Sequence, residues 1–387
     1  MKTAIINARV IMPTGIYAGE VMVENGVITE VALGHAVSGT ADMVIDAAQR
    51  YLSPGFIDVH THGAGGADFV SDNVEDIYTA CRTHLQHGTT SIVPTTTTGS
   101  KQQLLDFVEL FNTIELCKDG LPEILGLHLE GPYFADSQRG AQNPAFLRNP
   151  EPEEYEEVLR RTNRILRWSF AVELPGADKF LSVLRKAGIV SSVAHSDATC
   201  AEVLRAYENG VSALTHFYSG MSGVRRINAY RVGGVIEAGY LLDELMVEVI
   251  ADGCHLPAEL LQLIYKVKGA DKICLVTDSM SAAGMPEGEY TLGGIPCIVE
   301  DSVAKLLDRS AFAGSVATTD RLVRTFHSLT TAPLYEVVKM MTLNPAKLVH
   351  MEARKGSIAP GKDADLLLFD DDIQVSMVMV RGQTVAQ

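Results

Sequence analysis

Residues 55–66 read GFIDVHTHGAGG, an apolar run that passes straight into two histidines one residue apart and then into a glycine-rich loop. If Gly55 to Val59 is a strand, residues two apart point the same way, so His60 and His62 present their imidazoles on one face just past its end. Two imidazoles so placed suit a metal ion. The remaining donors must then come from other strand ends, and the fold has to bring those ends together.

Outward from this stretch, short apolar runs alternate with helical patterns: GFIDV, TTSIVPT, ILGLHLE, LRWSFAVEL, GIVSSVAH, VSALTHF, VEVIADG and KICLVTD, with LLDFVELFNTIEL and AEVLRAYENG among the intervening helices. Such alternation predicts an α/β chain with a parallel (β/α)8 TIM-type barrel over residues 54–350, whose catalytic residues sit at the C-terminal ends of the strands. The flanks differ. Residues 1–53 read as a β-meander with Asn25-Gly26 as a hairpin turn, and residues 351–387 carry ADLLLFD and VSMVMVRGQTV. Two strand-rich ends around an α/β middle predict one small β-sandwich domain built from both termini.

At the predicted strand ends stand His60 and His62, Glu130 after ILGLHL, His195 after GIVSSVA, His216 after VSALT, His255 after VEVIADGC, and Asp278 after KICLVT. A lone strand-end histidine is usually a hydrogen-bonded structural residue, and a lone carboxylate there is often a helix N-cap. For all these positions to be so at once is a poor account of one shared register. His84 and His87, in the helical CRTHLQHGTT, and His327 and His350 keep the structural reading, and His128, two residues before Glu130, is expected to support a centre rather than hold the ion. Imidazole nitrogens with carboxylate oxygens suit zinc, or iron, cobalt or manganese, with a position left open for water. A bound divalent ion of this kind makes hydroxide available near neutral pH. Asp278, arriving from the far side of the barrel, is the candidate base.

The chain has 387 residues, 47% hydrophobic and 21% charged, with a formal net charge of -16. That charge disfavours nucleic acid or an anionic membrane as a partner, and an anionic substrate would need a locally basic pocket. The start, MKTAIINARV, turns polar too soon for a signal peptide, and no long apolar run suggests a membrane span, so a soluble cytoplasmic protein is expected. Six scattered cysteines lack C-x-x-C spacing and are expected to be reduced.

The H-x-H pair, the single histidines on later strands, the last strand-end aspartate and KGSIAPGKDADLLLFD together resemble the amidohydrolase superfamily. More narrowly, HLEGPY, AHSDAT, THFYSGM, ADGCHL and LVTDSMSAAG resemble the N-acetylglucosamine-6-phosphate deacetylases, in order and over nearly the whole chain. The resemblance implies that Glu130, His195 and His216 hold the principal ion, that His60 and His62 allow a second, and that Asp278, itself close to the ions, accepts and returns the proton. It also implies an amino-sugar phosphate as substrate, in contact with Ala141, Gln142, Ser219, Gly220, Asp252, Gly253, Cys254, His255, Phe312, Ala313 and Gly314. A homodimer with one loop reaching the neighbouring site is implied as well.

The chain departs from the family pattern in places. Gly140-Ala141-Gln142 replaces the common G-A-H, and Ser219-Gly220-Met221 replaces N-A-M. The usual phosphate-binding arginine has no direct counterpart: Asn228 falls near that position, and of Arg225, Arg226 and Arg231, Arg226 is the choice. The expected reaction is removal of the N-acetyl group from N-acetylglucosamine 6-phosphate, with N-acetylgalactosamine 6-phosphate as an alternative. A cyclic-amide hydrolase of the dihydroorotase type would want a bridging lysine where the matching strand offers Glu130. A scaffold on a dead barrel would have lost donors that this chain keeps.

Overall fold

Each of the eight apolar runs forms a strand in the computed structural model, which describes residues 1–385. The strands are Phe56–Thr61, Thr89–Pro94, a pair of short pieces at Glu123–Ile124 and Leu127–Glu130, Ile165–Phe170, Val190–Val193, Val211–Leu214, Met246–Val249 and Ile273–Leu275. Every pairing among them is parallel. They lie in a three-stranded and a six-stranded sheet, joined by a parallel bridge between Thr95 and His128. The break falls at Gly126, where a Cβ would come within 2.9 Å of both the Arg164 carbonyl and Leu166 Cβ. At the other margin the Asp278 amide donates to the His60 carbonyl at 2.9 Å and the His62 amide to the Ser279 carbonyl at 2.7 Å. The end of the last strand is thereby tied to the end of the first.

The space among these strands is polar. Asp58, His60, His128, Arg167, Ser169, Ser192, Thr215 and Glu248 are all fully buried there. Burying polar groups costs free energy unless they are paired, and these are linked: His128 Nε2 lies 2.7 Å from Ser169 Oγ, which is 2.8 Å from Thr215 Oγ1. The largest apolar cluster lies outside, where Phe56, Phe111, Trp168, Phe180 and Phe326 pack between strands and helices, and a smaller one joins Val93, Val190, Ala213, Met246 and Cys274 of the strands themselves.

Both termini contribute to one eight-stranded sheet. Its order runs Gln383–Val385, Val375–Val380, Leu366–Phe369, Tyr51–Pro54, Lys2–Met12, Gly15–Glu24, Val27–Leu33, with Met43–Asp46 beside Lys2–Met12. The Asn25-Gly26 turn has φ of 52° and 83°, the pair of positive values that a tight hairpin demands and that Asn-Gly meets most easily. The sheet is locked to the α/β region by Lys355, which is 1% exposed and reaches Glu123 at 2.9 Å, Asp363 at 3.0 Å and Asp365 at 2.6 Å. Lys355→Met would leave the buried Asp365 without its cation, and Glu123 and Asp363 with Arg354 alone. Removing one partner of a buried pair costs about 3–5 kcal/mol, so the denaturation midpoint should fall markedly, and an unchanged midpoint would show that the cluster does not join the two parts.

Two features were not anticipated from the sequence: a hairpin of Arg225–Ile227 with Tyr230–Val232, and a three-stranded sheet of Gly288–Leu292, Ile295–Glu300 and Val303–Leu306. Both are insertions in βα loops, and neither belongs to the period of the main fold.

Candidate metal centre

The six predicted donors converge. Glu130 Oε1 lies 3.0 Å from His216 Nε2, 3.4 Å from His195 Nε2 and 3.7 Å from His60 Nε2, while Oε2 lies 3.4 Å from His62 Nε2. Asp278 Oδ1 is 3.1 Å from His62 Nε2 and 3.4 Å from His60 Nε2. Two triads have donor atoms within 4.8 Å of one another, His60–His62–Glu130 and Glu130–His195–His216. Bonds of ~2.0–2.2 Å in a tetrahedral site place donors about 3.4 Å apart. The observed separations match.

The local backbone explains why the side chains face inward. His195, His216 and Asp278 adopt left-handed φ values of 43°, 36° and 46°, a conformation that costs a non-glycine residue on the order of 1–3 kcal/mol and is retained where the surroundings impose it. The chain turns sharply there, immediately past the strand. Five residues after His195 a helix begins, with Thr199 and Glu202 forming a capping box for Cys200–Glu208.

The rings of His195 and His216 are also oriented from behind. His195 Nδ1 lies 2.8 Å from the Gln138 carbonyl and His216 Nδ1 lies 3.1 Å from the Ser219 carbonyl. A carbonyl only accepts, so Nδ1 carries a proton, and Nε2 is the nitrogen left to face an ion. His60 Nε2 is buried without a hydrogen-bond partner among the described residues. Burial would depress the pKa values of His62 and His216, yet the Asp278 and Glu130 carboxylates outweigh it and lift both to about 9. Burial alone would raise Asp278, but His60, His62 and His216 bring it down to about 2. The spot demands positive charge, which a divalent ion supplies.

Of the residues expected to meet substrate, Gln142, Ser219, Gly220 and Gly314 touch the donor residues, and Asp252, His255 and Phe312 form a group of their own. Gln142 Nε2 donates to Glu130 Oε2 at 3.0 Å, and its Oε1 accepts from the Thr98 amide at 3.0 Å. Ala141 packs with Met280, Leu292 and Ala313. Gly220 lies against His195, where a Cβ would come within 2.7 Å of Nδ1, and the Gly314 Cβ position is 2.8 Å from the Asp278 carbonyl. Asp252 accepts from the amides of Cys254 and His255 and holds His255 Nδ1 at 2.8 Å. The His255 ring packs 4.6 Å from that of Phe312, and Gly253 turns the chain between them with φ of 82°. Arg226 joins neither group. It stands exposed on the 225–232 hairpin and no contact joins it to the six donors among the described residues, whereas Arg225 is paired with Asp197 at 2.5 Å.

The sequence profile of the amidohydrolase family matches residues 51–385. The chain belongs to the amidohydrolase family. Its relatives include an N-acetylglucosamine-6-phosphate deacetylase of Lysinibacillus sphaericus, 31% identical over 95% of this chain and 93% of the relative. Another is an N-acetylgalactosamine-6-phosphate deacetylase of Escherichia coli, 32% identical over 86% of this chain and 87% of the relative. Among solved structures, the N-acetyl-D-glucosamine-6-phosphate deacetylase of Mycobacterium smegmatis superposes with a TM-score of 0.91 at 29% identity over 100% of each chain. That of Thermotoga maritima gives 0.87 at 32% identity over 99% of each. Amidohydrolases of this family are metal-dependent, and this one offers a donor set that fits. None of its helices, among the described residues, is long and apolar enough to cross a membrane.

Three residues around this amidohydrolase centre escaped the sequence reading. Glu248 and Arg167 are charged residues in the middle of strands, MVEV and ILRWSF, and a charge inside an apolar run was the available signal. His84 was read as structural in its helix. It lies under the site, 3.0 Å from Thr61 Oγ1 and 3.4 Å from Ser279 Oγ, beside residues that carry His60, His62 and Asp278.

Proposed function

We propose that this amidohydrolase removes the acetyl group from N-acetylglucosamine 6-phosphate, releasing acetate and glucosamine 6-phosphate. The observation that carries the reading is the sharing of Glu130 among four imidazoles with Asp278 directly opposite. Glu130, His195 and His216 would hold one divalent ion, zinc before iron, cobalt or manganese, and His60 and His62 with Glu130 a second. Such an ion supplies acidified water and a Lewis acid for the acetamide carbonyl. Asp278, ionised at neutral pH, takes a proton from the attacking water and returns it to the amine nitrogen as the tetrahedral intermediate collapses. Gln142, Ser219, Gly220 and the His255–Phe312 pair line the sugar, with Ala141, Asp252, Gly253, Cys254, Ala313 and Gly314 shaping the wall.

The finer architecture belongs to the same reading. The eight parallel strands form a distorted (β/α)8 barrel over residues 54–350, and 1–53 with 351–387, of which 386 and 387 lie outside the described residues, form a small β-sandwich domain, supported by the ties between the first and last strands and by the shared terminal sheet. A cytoplasmic location belongs to the same reading, and a homodimer is supported by Val224, Ile227 and Tyr230, apolar and exposed on and just before the 225–232 hairpin.

Phosphate recognition falls to Arg226, since Arg225 is engaged by Asp197. Arginine can grip phosphate with two parallel hydrogen bonds. Hydrogen bonds to charged groups contribute ~1.5–3 kcal/mol, so Arg226→Ala should lower kcat/KM for the phosphorylated sugar by roughly 10 to 150-fold and barely change the poor turnover of the unphosphorylated one. Equal losses on both would assign the arginine to the loop rather than the phosphate. The test of the function itself is acetate release across N-acetylglucosamine, N-acetylgalactosamine and N-acetylmannosamine, each with and without the 6-phosphate. N-acetylglucosamine 6-phosphate should be turned over best. A preference for N-acetylgalactosamine 6-phosphate would move the reading to the chemistry named for the Escherichia coli relative.

A further inference from the structure

Glu248 and Arg167 face each other inside the ring of strands, each fully buried. Their carboxylate and guanidinium are in direct ionic contact through Glu248 Oε1 and Arg167 Nη2. Arg167 Nη1 also donates to the Val59 carbonyl at 3.1 Å, one residue before His60. The second oxygen of Glu248 lies 3.1 Å from His60 Nδ1. A carboxylate can only accept, so His60 must carry its proton on Nδ1, which leaves the Nε2 lone pair aimed at the space between Glu130 Oε1, 3.7 Å away, and Asp278 Oδ1, 3.4 Å away. His195 and His216 are oriented by neutral carbonyls. His60 alone, among the described residues of the centre, is oriented by a charged group.

A buried ion pair is a poor device for stability, because desolvating two charges offsets most of their attraction, and apolar replacements of the pair are often neutral or stabilising. The arrangement makes better sense as a support for the ring it touches. Arg167 supplies the charge that lets Glu248 sit buried in the interior, and it pins the backbone beside His60. Carboxylate–histidine–metal arrangements fix the tautomer and raise the basicity of the ligand.

We propose that Glu248, held by Arg167, is the positioning residue that fixes His60 with Nε2 free, and that it thereby sets the affinity of the ion held by His60, His62 and Glu130 but not that of the ion held by Glu130, His195 and His216. The proposal rests on the metal-centre reading above.

The test is titration of zinc into the metal-stripped full-length protein in competition with a chromophoric chelator. Wild type is compared with Glu248→Gln/Arg167→Met, in which both charges are removed together so that neither is left unpaired, and with His60→Asn. Loss of a residue that orients a ligand typically costs ~10–100-fold in metal affinity, so the double variant should bind one of its two ions ~10–100-fold more weakly, the same one that His60→Asn weakens, and hold the other as wild type does. A folded double variant with both affinities unchanged would overturn the proposal, as would a wild-type protein whose zinc affinities are indifferent to His60→Asn. A wild-type protein that takes up no zinc would instead sink the metal-centre reading itself. If the double variant does not fold, the wild-type protein still decides the matter. In the zinc-loaded protein labelled with 15N-histidine, the His60 resonances, assigned by their loss in His60→Asn, should show a proton on Nδ1 and zinc on Nε2. Zinc on Nδ1 would overturn the proposal.

Discussion

Asp278→Asn is expected to lower kcat for acetamide hydrolysis by at least ~10² to 10⁴, the range typical of a positioned proton-transfer group, while leaving bound metal in place. The residue is 8% exposed, and its carboxylate sits 3.1 Å from His62 Nε2 and 3.4 Å from His60 Nε2. Burial opposes its ionisation, but the imidazoles around it prevail, so it stands as an anion ready to accept a proton. Asparagine is nearly the same size and cannot take a proton, which separates the chemical loss from a structural one. The backbone anchors at this position do not depend on the side chain: the Asp278 amide is bonded to the His60 carbonyl at 2.9 Å, and its carbonyl accepts from the Ser315 amide at 2.7 Å. The variant should therefore keep the wild-type melting behaviour and metal content. A loss under about tenfold in kcat would mean that another residue is the base.

Glu130→Ala should be more damaging, because Glu130 is the one residue common to both candidate triads. Its two oxygens separate the partners, with Oε1 toward His60, His195 and His216 and Oε2 toward His62 and Gln142. Removal takes a donor from each triad and leaves the positive cluster without its central anion. Loss of a residue that merely orients a ligand costs ~10–100-fold in metal affinity, so loss of the shared ligand should exceed about 100-fold. Elemental analysis should find little metal in the purified variant, and acetate release should be undetectable. Wild-type activity in Glu130→Ala would remove the basis for placing the ion there.

How legible was this in the sequence? The strand register was, because each run is short, apolar and ended by a residue that does not belong in a core, as GIVSSVA is by His195 and KICLVT by Asp278. The hairpin at Asn25-Gly26 was too, since its residues carry the positive φ values that the turn requires. What the sequence hid depends on contacts between distant segments. Nothing in AHSDAT or THFYSGM announces that His195 and His216 take left-handed backbone conformations, since those are imposed by neighbours. His84 gave a helical signal and nothing more, though its ring reaches Thr61 below the site. Glu248 and Arg167 sit on strands that are not neighbours in their sheet, and only its curvature makes them partners. The 225–232 hairpin reads as loop because short amphipathic strands with polar turns do not stand out against a βα background, and Arg226 is exposed there without a partner in its own chain among the described residues.

The claim on which the rest depends is that the strand-end histidines and carboxylates are a working metal centre for amide hydrolysis. It is tested most directly by stripping the purified protein of metal, verifying the loss by elemental analysis, and following acetate release from N-acetylglucosamine 6-phosphate as zinc is added back. The stripped protein should be inactive and should recover in proportion to zinc bound. Full activity in protein shown to contain no metal would contradict the account.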